Sequence, residues 1–562
     1  MRKLIQRLLD WQQEVLREKK IPFAILEAPT GYGKTSSGAL LFKRMKEEGL
    51  TAGYIHVLPL RAIVDDLYSK LLTGKIPDVD RSWLNSHSIG YQMMDYIEGR
   101  EEDKSPYFLR DMTVTTFDSF IYNVARLPVA EIGRRSRHYE IPRSSILTSL
   151  IVLDEAHLYG GDIGLKDTKM FNVLLSSVKV LARLRVPTFL ESATLPKAVV
   201  SRLLDAMNGN VKAYFHLSKD GSGEVSWDKE YAELHEQITW ITKLIEYDEI
   251  MSEALRHYIS GEKVLVMFNK PRDAMDFYLS ALERGVDRDH SVLLHGRLTS
   301  GDRSKAYLKL KRLHNSKEGM MAITTQVIEA GVDVSFDVLF TEAAPPTVLT
   351  QRAGRVARYG GSLVAKVYVF ERGEEREGSI YDEEIVRETV KMLKKKQIEW
   401  RLPEDRDEMI SYKKLTETIY SRFRWHFENG DINLERVMLH PLITNQHLNR
   451  LMETYCGLVR EPLLTGYIAR PDDVLRVDEL DPSRFIVLNR SLAKHLALCD
   501  ALYSDRGEII ALKHCLEGGF KLERLHPSIF NKSNCRRLFE KVSNLILLVK
   551  ASAYQEGLGI VT

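Results

Sequence analysis

The segment Ala28-Pro29-Thr30-Gly31-Tyr32-Gly33-Lys34-Thr35 carries the residue types that grip a polyphosphate. Gly31 and Gly33 let the backbone curl so that N–H groups and a helix N-terminus face the β- and γ-phosphates; Lys34 adds a point charge, and the Thr35 hydroxyl is a ligand for Mg²⁺. The loop starts at Ala28, where the common pattern has glycine. Farther along, Asp154-Glu155-Ala156-His157 follows the apolar run Leu150-Ile151-Val152-Leu153. In such a pair Asp154 holds Mg²⁺ through its shell, and Glu155 aligns and deprotonates a water. Arg355 and Arg358 stand three apart in Gln351-Arg352-Ala353-Gly354-Arg355-Val356-Ala357-Arg358. On a helix they project from one face, placed as arginine fingers whose charge stabilisation is worth about 10³ to 10⁵ in rate. The combined chemistry is Mg²⁺-assisted hydrolysis of ATP.

Such groups need strands and helices to aim them. Phe23 to Leu26 reads as a buried strand and Thr35 to Phe42 as a helix, which puts the phosphate loop between them. Ahead of it, residues 1 to about 20 pattern as a helix with Leu4, Ile5, Leu8, Leu9 and Trp11 on one side, ending at Gln12-Gln13. Tyr54 to Leu58 runs into Pro59-Leu60-Arg61, and Met112 to Val114 runs into Thr115-Thr116-Phe117-Asp118. Both put hydroxyls or a cation at the C-terminal edge of a parallel sheet, which suits a phosphodiester backbone read without regard to sequence, although a capped turn accounts for either alone. Thr188 to Leu190 ends in Ser192-Ala193-Thr194, small hydroxyls able to link the hydrolysis site to a polynucleotide track.

The first domain is expected to span residues 1–225, closing at Gly221-Ser222-Gly223. A second, over 226–375, has strands at Val264 to Phe268, Val292 to His295, Ala322 to Thr324, Val338 to Phe340 and Lys366 to Val369, with no phosphate loop of its own. Amphipathic helices follow, with Ile385, Val386, Val390 and Leu393 on one face and then Leu415, Ile419, Phe423 and Trp425. Residues 376–562 therefore read as a mostly helical accessory domain. The fold class is α/β, two tandem parallel-sheet domains and that accessory region.

The formal charge of +2 on 562 residues gives no global electrostatic footprint, so any nucleic-acid surface is local. Arg134, Arg135, Arg137, His138 and Arg143 form one basic cluster, at least as well explained as a solvated loop, and Lys394-Lys395-Lys396 another, better explained as a solvated face than as a nucleic-acid track. Cys456, Cys499, Cys515 and Cys535 never fall in C-x-x-C spacing and read as reduced core thiols. Neither a signal peptide nor a membrane-spanning run is legible, so the expected compartment is the cytoplasm, with no membrane partner.

Read together, these stretches resemble superfamily 2 helicases with two RecA-like domains. The narrower wording of Glu27 to Thr35, Asp154 to Tyr159, Ser192 to Pro196, Leu293 to Arg297 with Asp302-Arg303, and Thr325 to Asp333 through Phe336-Asp337-Val338 to Arg355 resembles the helicase of type I CRISPR interference. The resemblance implies that Gln12 contacts adenine, that Gly31, Gly33, Lys34 and Thr35 hold the phosphates, and that Gly331, Asp333, Gln351, Arg355 and Arg358 complete the ATP site. It implies Arg61, Thr116, His295, Arg297 and Thr325 along single-stranded DNA, 3′ to 5′ movement, and recruitment by a guide RNA surveillance complex. Many members carry a His-Asp nuclease ahead of the helicase; here the phosphate loop begins at residue 28 and no His-Asp dipeptide occurs. The expectation is a split form whose nuclease is a separate subunit. Two rivals remain open on sequence: an RNA-remodelling DExH helicase, and a nucleotide-dependent clamp on a guide complex.

Overall fold

The computed structural model describes residues 1–59, 61–93, 97, 99–128, 138, 140–159, 169–219, 225–316, 318–329, 333–358, 364–372, 380–423, 432–439, 463–471, 473, 480–514, 520–531, 538 and 545–561. It has two parallel-sheet α/β domains followed by a mixed helical and stranded C-terminal region. Its residues group into two compact units. The first takes described residues of 1–128, 138–266 and 329–440, and the second those of 267–328 and of 441–562.

The first unit is organised on an eight-stranded sheet of β1 (Pro22–Glu27), β2 (Gly53–Leu58), β3 (Ile89–Gln92), β4 (Met112–Thr116), β5 (Ser149–Leu153), β6 (Thr188–Ser192), β7 (Val211–Leu217) and β8 (Val225–Ser226). The order is β3-β4-β2-β5-β6-β1-β7-β8, and every adjacent pair is parallel. Every residue of β1 and of β5 is buried, as expected of strands covered on both faces. Helix α1 (Lys3–Arg17) buries Leu4, Ile5, Leu8 and Leu9 in a core shared with Ala24 and Leu26 of β1 and with Leu41 and Phe42 of helix α2 (Lys34–Glu47). Because β6 lies between β1 and β5, the loops leaving these three strands emerge side by side on one edge, where open α/β sheets bind ligands.

The same unit contains β9 (Thr239–Ile245), β13 (Val338–Glu342) and β14 (Val364–Phe370), with parallel pairings β13–β14 and β14–β9. β10 (Lys263–Met267) precedes β11 (Ser291–Leu294) and β12 (Met320–Thr324), and these last two pair in parallel in the second unit.

The region after residue 376 is mixed. The helices Glu383–Leu393 and Tyr412–Tyr420 bury Ile385, Val390, Leu393, Leu415 and Ile419 of the expected faces; Val386 is half-buried, Phe423 lies past the second helix, and Trp425 is outside the described residues. The second unit then adds a strand-rich layer that the sequence reading did not contain. In it β17 (Leu464–Ala469) pairs with β18 (Phe485–Leu488) and with β22 (Leu545–Lys550), and β20 (Glu508–His514) pairs with β22 and with β21 (Phe520–Leu525). Between β14 and β17 lie β15 (Gln397–Glu399) and β16 (Met409–Ser411), a short parallel pair; β19 (Ser504–Asp505) flanks β20, and β23 (Tyr554–Gln555) with β24 (Gly559–Ile560) is a terminal hairpin. Among the described residues, no helix is long and apolar enough to cross a membrane.

Candidate ATP site and its flanking residues

The loop after β1 has the backbone that its glycines predict. Gly31 and Gly33 take φ values of 80° and 100°, a left-handed conformation that admits glycine freely. Lys34 folds back over the loop, its Nζ donating to the carbonyls of Ala28 and Pro29 at 2.9 and 3.3 Å. The loop is also pinned to the neighbouring strand, because the Ala28 N–H donates to the Ser192 carbonyl at 3.0 Å. Thr35 is half-buried at the start of α2.

Asp154 and Glu155 leave the end of β5. Burial alone would push Asp154 up, but the neighbouring His56 and the charge of Lys34 hold it below its ordinary value; His56 Nε2 lies 3.3 Å from Asp154 Oδ2. For Glu155 burial prevails and the carboxyl is pushed up to about 7, with Asp154 adding to the rise and Lys34, Arg355 and Arg358 opposing it. Glu155 sits at φ 51°, a region that residues with side chains seldom occupy outside sites where the surroundings enforce it. A carboxylate poised near neutrality suits a general base. Next to it, His157 is pulled down to about 3, first by burial and then by Lys34. That leaves it neutral, with Nδ1 3.1 Å from Ser192 Oγ.

Two groups here were absent from the sequence reading. Glu191, fully buried on β6, hydrogen-bonds Ser37 and is raised well above the ordinary carboxylate range by burial and by Asp154. Arg401 is buried at 1 % exposure and donates to the Thr30 carbonyl and hydroxyl. An arginine isolated among unrelated residues gives no sequence signal, and a carboxylate inside an otherwise apolar strand gives only a weak one.

Arg355 and Arg358 do not share a helix face as their spacing predicts, because the helix Pro346–Ala353 ends before them and Val356 bridges Phe336; the segment that follows the helix meets this edge within the same unit. A Cβ built on Gly31 would lie 3.8 Å from Arg358 Cγ, and Arg358 pairs with Asp333 at 3.4 Å. Arg355 is buried, donates to the Glu329 carbonyl and is pulled down to about 9 by burial and by Arg358, which leaves it charged at neutral pH. Arg352, by contrast, is spent on structure: it donates to Glu329 at 2.8 Å, to Thr341 at 2.9 Å and to the Glu342 carbonyl at 3.0 Å. Gln351 is buried and neither atom of its amide has a hydrogen-bond partner among the described residues. An orphaned amide beside two arginines and a glycine-rich loop fits a phosphate and its attacking water. Thr35 and Asp154 supply oxygens of the kind that hold Mg²⁺ together with substrate phosphates. No cluster of three or more His, Cys, Asp or Glu ligands occurs among the described residues, and a site of this type needs none.

Gln12 is placed elsewhere. The phosphate loop meets the start of α1, where the Leu4 N–H donates to Tyr32 Oη at 3.1 Å and Ile5 Cδ1 lies 3.8 Å from a Cβ built on Gly33. Gln12 is two turns further on, roughly 10 Å along the axis. It is fully buried, with Nε2 donating to the Leu41 carbonyl at 3.1 Å. α1 itself runs to Arg17, within the helix expected over residues 1 to about 20. Gly331 and Arg134, Arg135 and Arg137 lie outside the described residues.

Of the residues expected along a nucleic acid, Arg61 opens the helix Arg61–Leu72 and is half-buried, and Thr116 ends β4, paired in register with Leu58 of β2. Thr116 is buried and acts as an N-cap, its Oγ1 accepting from the Ser119 N–H at 3.4 Å. In the second unit Thr325 and His295 are buried. His295 Nε2 lies 2.9 Å from the Leu558 carbonyl, and Nδ1 accepts from the Arg297 N–H at 3.1 Å. The hairpin β23–β24 thus seats on the loop after β11, and Arg297 is left half-buried.

Two family models match the chain: DEAD/DEAH box helicase over residues 10–203, and CRISPR-associated nuclease/helicase Cas3, C-terminal, over residues 260–361. Among curated proteins, a protein of Methanocaldococcus jannaschii assigned as a CRISPR-associated nuclease/helicase Cas3 is 26% identical over 376 residues, 62% of this chain and 46% of its own length. The CRISPR-associated helicase Cas3 of Thermoproteus tenax is 24% identical over 386 residues, 66% of this chain and 59% of its own. The chain spans about half the length of the curated relatives it matches. Among solved structures, T. fusca Cas3-ADP superposes with a TM-score of 0.57 at 15% identity, covering 97% of this chain and 64% of that one. The Mycobacterium smegmatis helicase Lhr bound to ssDNA and AMP-PNP gives 0.50 at 15%, covering 96% and 60%. Both share the fold.

Proposed function

We propose that this chain, a CRISPR-associated helicase carrying a DEAD/DEAH box domain, is an ATP-dependent translocase on single-stranded DNA. The reading includes 3′ to 5′ movement, opening of target DNA in type I CRISPR antiviral interference, and recruitment by a guide RNA surveillance complex. The observation that carries it is the convergence within one compact unit of the Gly31–Lys34 loop, the Asp154–Glu155 pair and the Gln351–Arg358 segment, with the Gln351 amide left unsatisfied.

Each residue has a role that follows from its position. Gly31, Gly33 and Lys34 hold the phosphates; Thr35 and Asp154 would hold Mg²⁺, which neutralises phosphate charge when bound. Glu155 takes the proton of a water oriented with Gln351, and Arg355 and Arg358 meet the charge that develops on the transferred phosphoryl group. Asp333, paired with Arg358, steadies that arginine. Closure on ATP and reopening after hydrolysis then alternate the grip on the strand. Arg61 and Arg297, half-buried at strand ends, remain the proposed contacts to the DNA backbone; for Thr116, His295 and Thr325 the reading shifts to supporting the loops that carry such contacts. Gln12 is proposed to brace α1 against α2 rather than to read adenine. Residues 1–225, 226–375 and 376–562 are kept as the proposed domain division. Cutting is proposed to fall to a separate His-Asp nuclease subunit. DNA cleavage in a reconstituted mixture that did not depend on a second subunit would refute that part.

The deciding experiment is steady-state ATP hydrolysis with Mg²⁺ and no polymer, single-stranded DNA or matched single-stranded RNA, with Glu155→Gln as control. Stimulation by DNA that vanishes in the variant is the expected result. Stimulation by RNA alone would point to a remodelling helicase, and hydrolysis absent under every condition to a nucleotide-dependent clamp.

A further inference from the structure

Arg401 lies outside every motif that marks the ATP site, yet its guanidinium joins two sides of it. Nη1 donates to both the carbonyl and the hydroxyl of Thr30 at 2.9 Å, the residue just before Gly31. Nη2 donates to the carbonyls of Gly354 and Val356 at 3.3 and 2.9 Å, the residues on either side of Arg355. All four acceptors are neutral oxygens, and the nearby Glu399 carboxylate adds a favourable charge that Arg358 opposes. Only a planar fork spans two such pairs; an ammonium on a flexible stem can reach one.

The side chain is aimed by its own segment. Glu399 Oε1 accepts the N–H groups of Arg401 and Leu402 at 2.9 and 3.1 Å, and its second oxygen pairs with Arg406 at 3.4 Å. Gln397 exchanges two hydrogen bonds with the backbone of Thr242 on β9, at 2.8 and 3.0 Å, and Trp400 Nε1 donates to the Thr242 hydroxyl at 3.0 Å. The guanidinium therefore projects from a fixed platform toward the phosphate loop. The backbones it joins are in close approach: a Cβ on Gly354 would come within 2.3 Å of Thr30 Oγ1.

We propose that Arg401 is a positioning residue that registers the Arg355 segment against the phosphate loop, so that the arginines reach the γ-phosphate only while this tie is made. The inference rests on the ATPase reading above. A tie of this kind acts on the chemical step through the placement of Arg355, while the bonds that fold Lys34 over the loop, to the Ala28 and Pro29 carbonyls, do not involve Arg401. Misplacement of a catalytic group by about 1 Å costs about 10²-fold in rate.

The test compares wild type, Arg401→Lys, Arg401→Ala, Arg355→Ala and the double variant Arg401→Lys/Arg355→Ala. Arg401→Lys preserves charge and approximate volume, which keeps the experiment informative where Arg401→Ala does not fold. The expected result is a kcat lowered about 10- to 100-fold in Arg401→Lys with the ATP KM changed by less than about threefold. In the double variant the rate is then no lower than in Arg355→Ala, since a misplaced group cannot matter once it has been deleted. Losses that multiply, or an effect confined to KM, would overturn the proposal. A second arm needs no turnover: amide hydrogen exchange without nucleotide should quicken in Arg401→Lys at both residues 30–33 and 354–358. Unchanged exchange at either segment would overturn the tie, and this arm still decides the matter if the wild type fails to hydrolyse ATP and the functional reading falls.

Discussion

Gly354 is the position where a single added methyl should separate the two sides of the ATP site. Its backbone is right-handed, φ −59° and ψ −8°, so any residue could adopt it and the demand for glycine is one of space. A Cβ there would stand 2.3 Å from Thr30 Oγ1, 3.1 Å from Thr30 Cβ and 3.1 Å from the Gln351 carbonyl. Ordinary contact begins near 3.4 Å, so the Thr30 hydroxyl would have to retreat by about 1 Å, and the Arg401 guanidinium holds it in place. Overpacking of this severity costs about 1 to 3 kcal/mol. If the clash is relieved by opening the site, Gly354→Ala lowers kcat by about 5- to 150-fold while ATP still binds to Lys34 and its loop. The assay is single-turnover hydrolysis beside equilibrium binding of a fluorescent ATP analogue. Thr30→Ala deletes the clashing oxygen and should recover part of the lost rate when added to Gly354→Ala. A Gly354→Ala enzyme with wild-type turnover, or a double variant slower than the single one, would refute the close approach as a requirement for catalysis.

The remaining expectations concern groups whose roles the geometry separates. Arg355→Ala should lower kcat by about 10³-fold or more, with Arg355→Lys failing to restore it, because a buried fork is replaced by a point charge; single-turnover rates decide this. Thr116→Ala removes an N-cap and should cost about 1 kcal/mol in denaturant unfolding, while the salt dependence of single-stranded DNA binding stays at the wild-type slope; a slope reduced by about one unit would return Thr116 to the nucleic acid. Burial pulls His235 down to about 3 and His295 to about 4, so both are neutral in the folded chain and the unfolded chain binds their protons first. Stability should therefore fall as the pH drops below about 6.5, by about 1.4 kcal/mol per unit for each group until its folded value is reached. Thermal melts of His295→Gln across this range should show a shallower slope.

What the sequence conveyed followed from local pattern. The phosphate loop and the carboxylate pair are legible because each is a run of neighbouring residues bound to one strand end, and the parallel order β5-β6-β1 then brings them together; the helical spacing of Arg355 and Arg358 is not kept, since their helix ends at Ala353. Gln12 carries a second signal beside its motif. It continues the buried stripe Leu4, Ile5, Leu8, Leu9 at helical spacing, and its burial against Leu41 was thus legible in the same periodicity that located the helix. β7 and β9 carry no continuous apolar run because they alternate polar and apolar residues, the burial pattern of β7 changing residue by residue along Ala213 to Leu217. The strand layer of the second unit had no such excuse in Leu545 to Val549, an apolar run of strand length, but no motif marked its neighbours.

Arg401 lay beyond this kind of reading for a physical reason. Three of its four acceptors are backbone carbonyls, which every residue possesses, and the fourth is a threonine hydroxyl, so nothing about Thr30, Gly354 or Val356 announces a buried guanidinium 371, 47 or 45 residues away. The motifs specify which groups touch phosphate; they do not specify what holds the loop and the arginine segment at the right separation. That separation is set here by one charge-bearing fork and one missing methyl, Arg401 pulling Thr30 toward residues 354–356 and Gly354 allowing it to arrive. The two act on the same gap with opposite sign, so a variant that weakens the pull and a variant that fills the space should produce the same kinetic lesion, a slowed chemical step with ATP binding preserved.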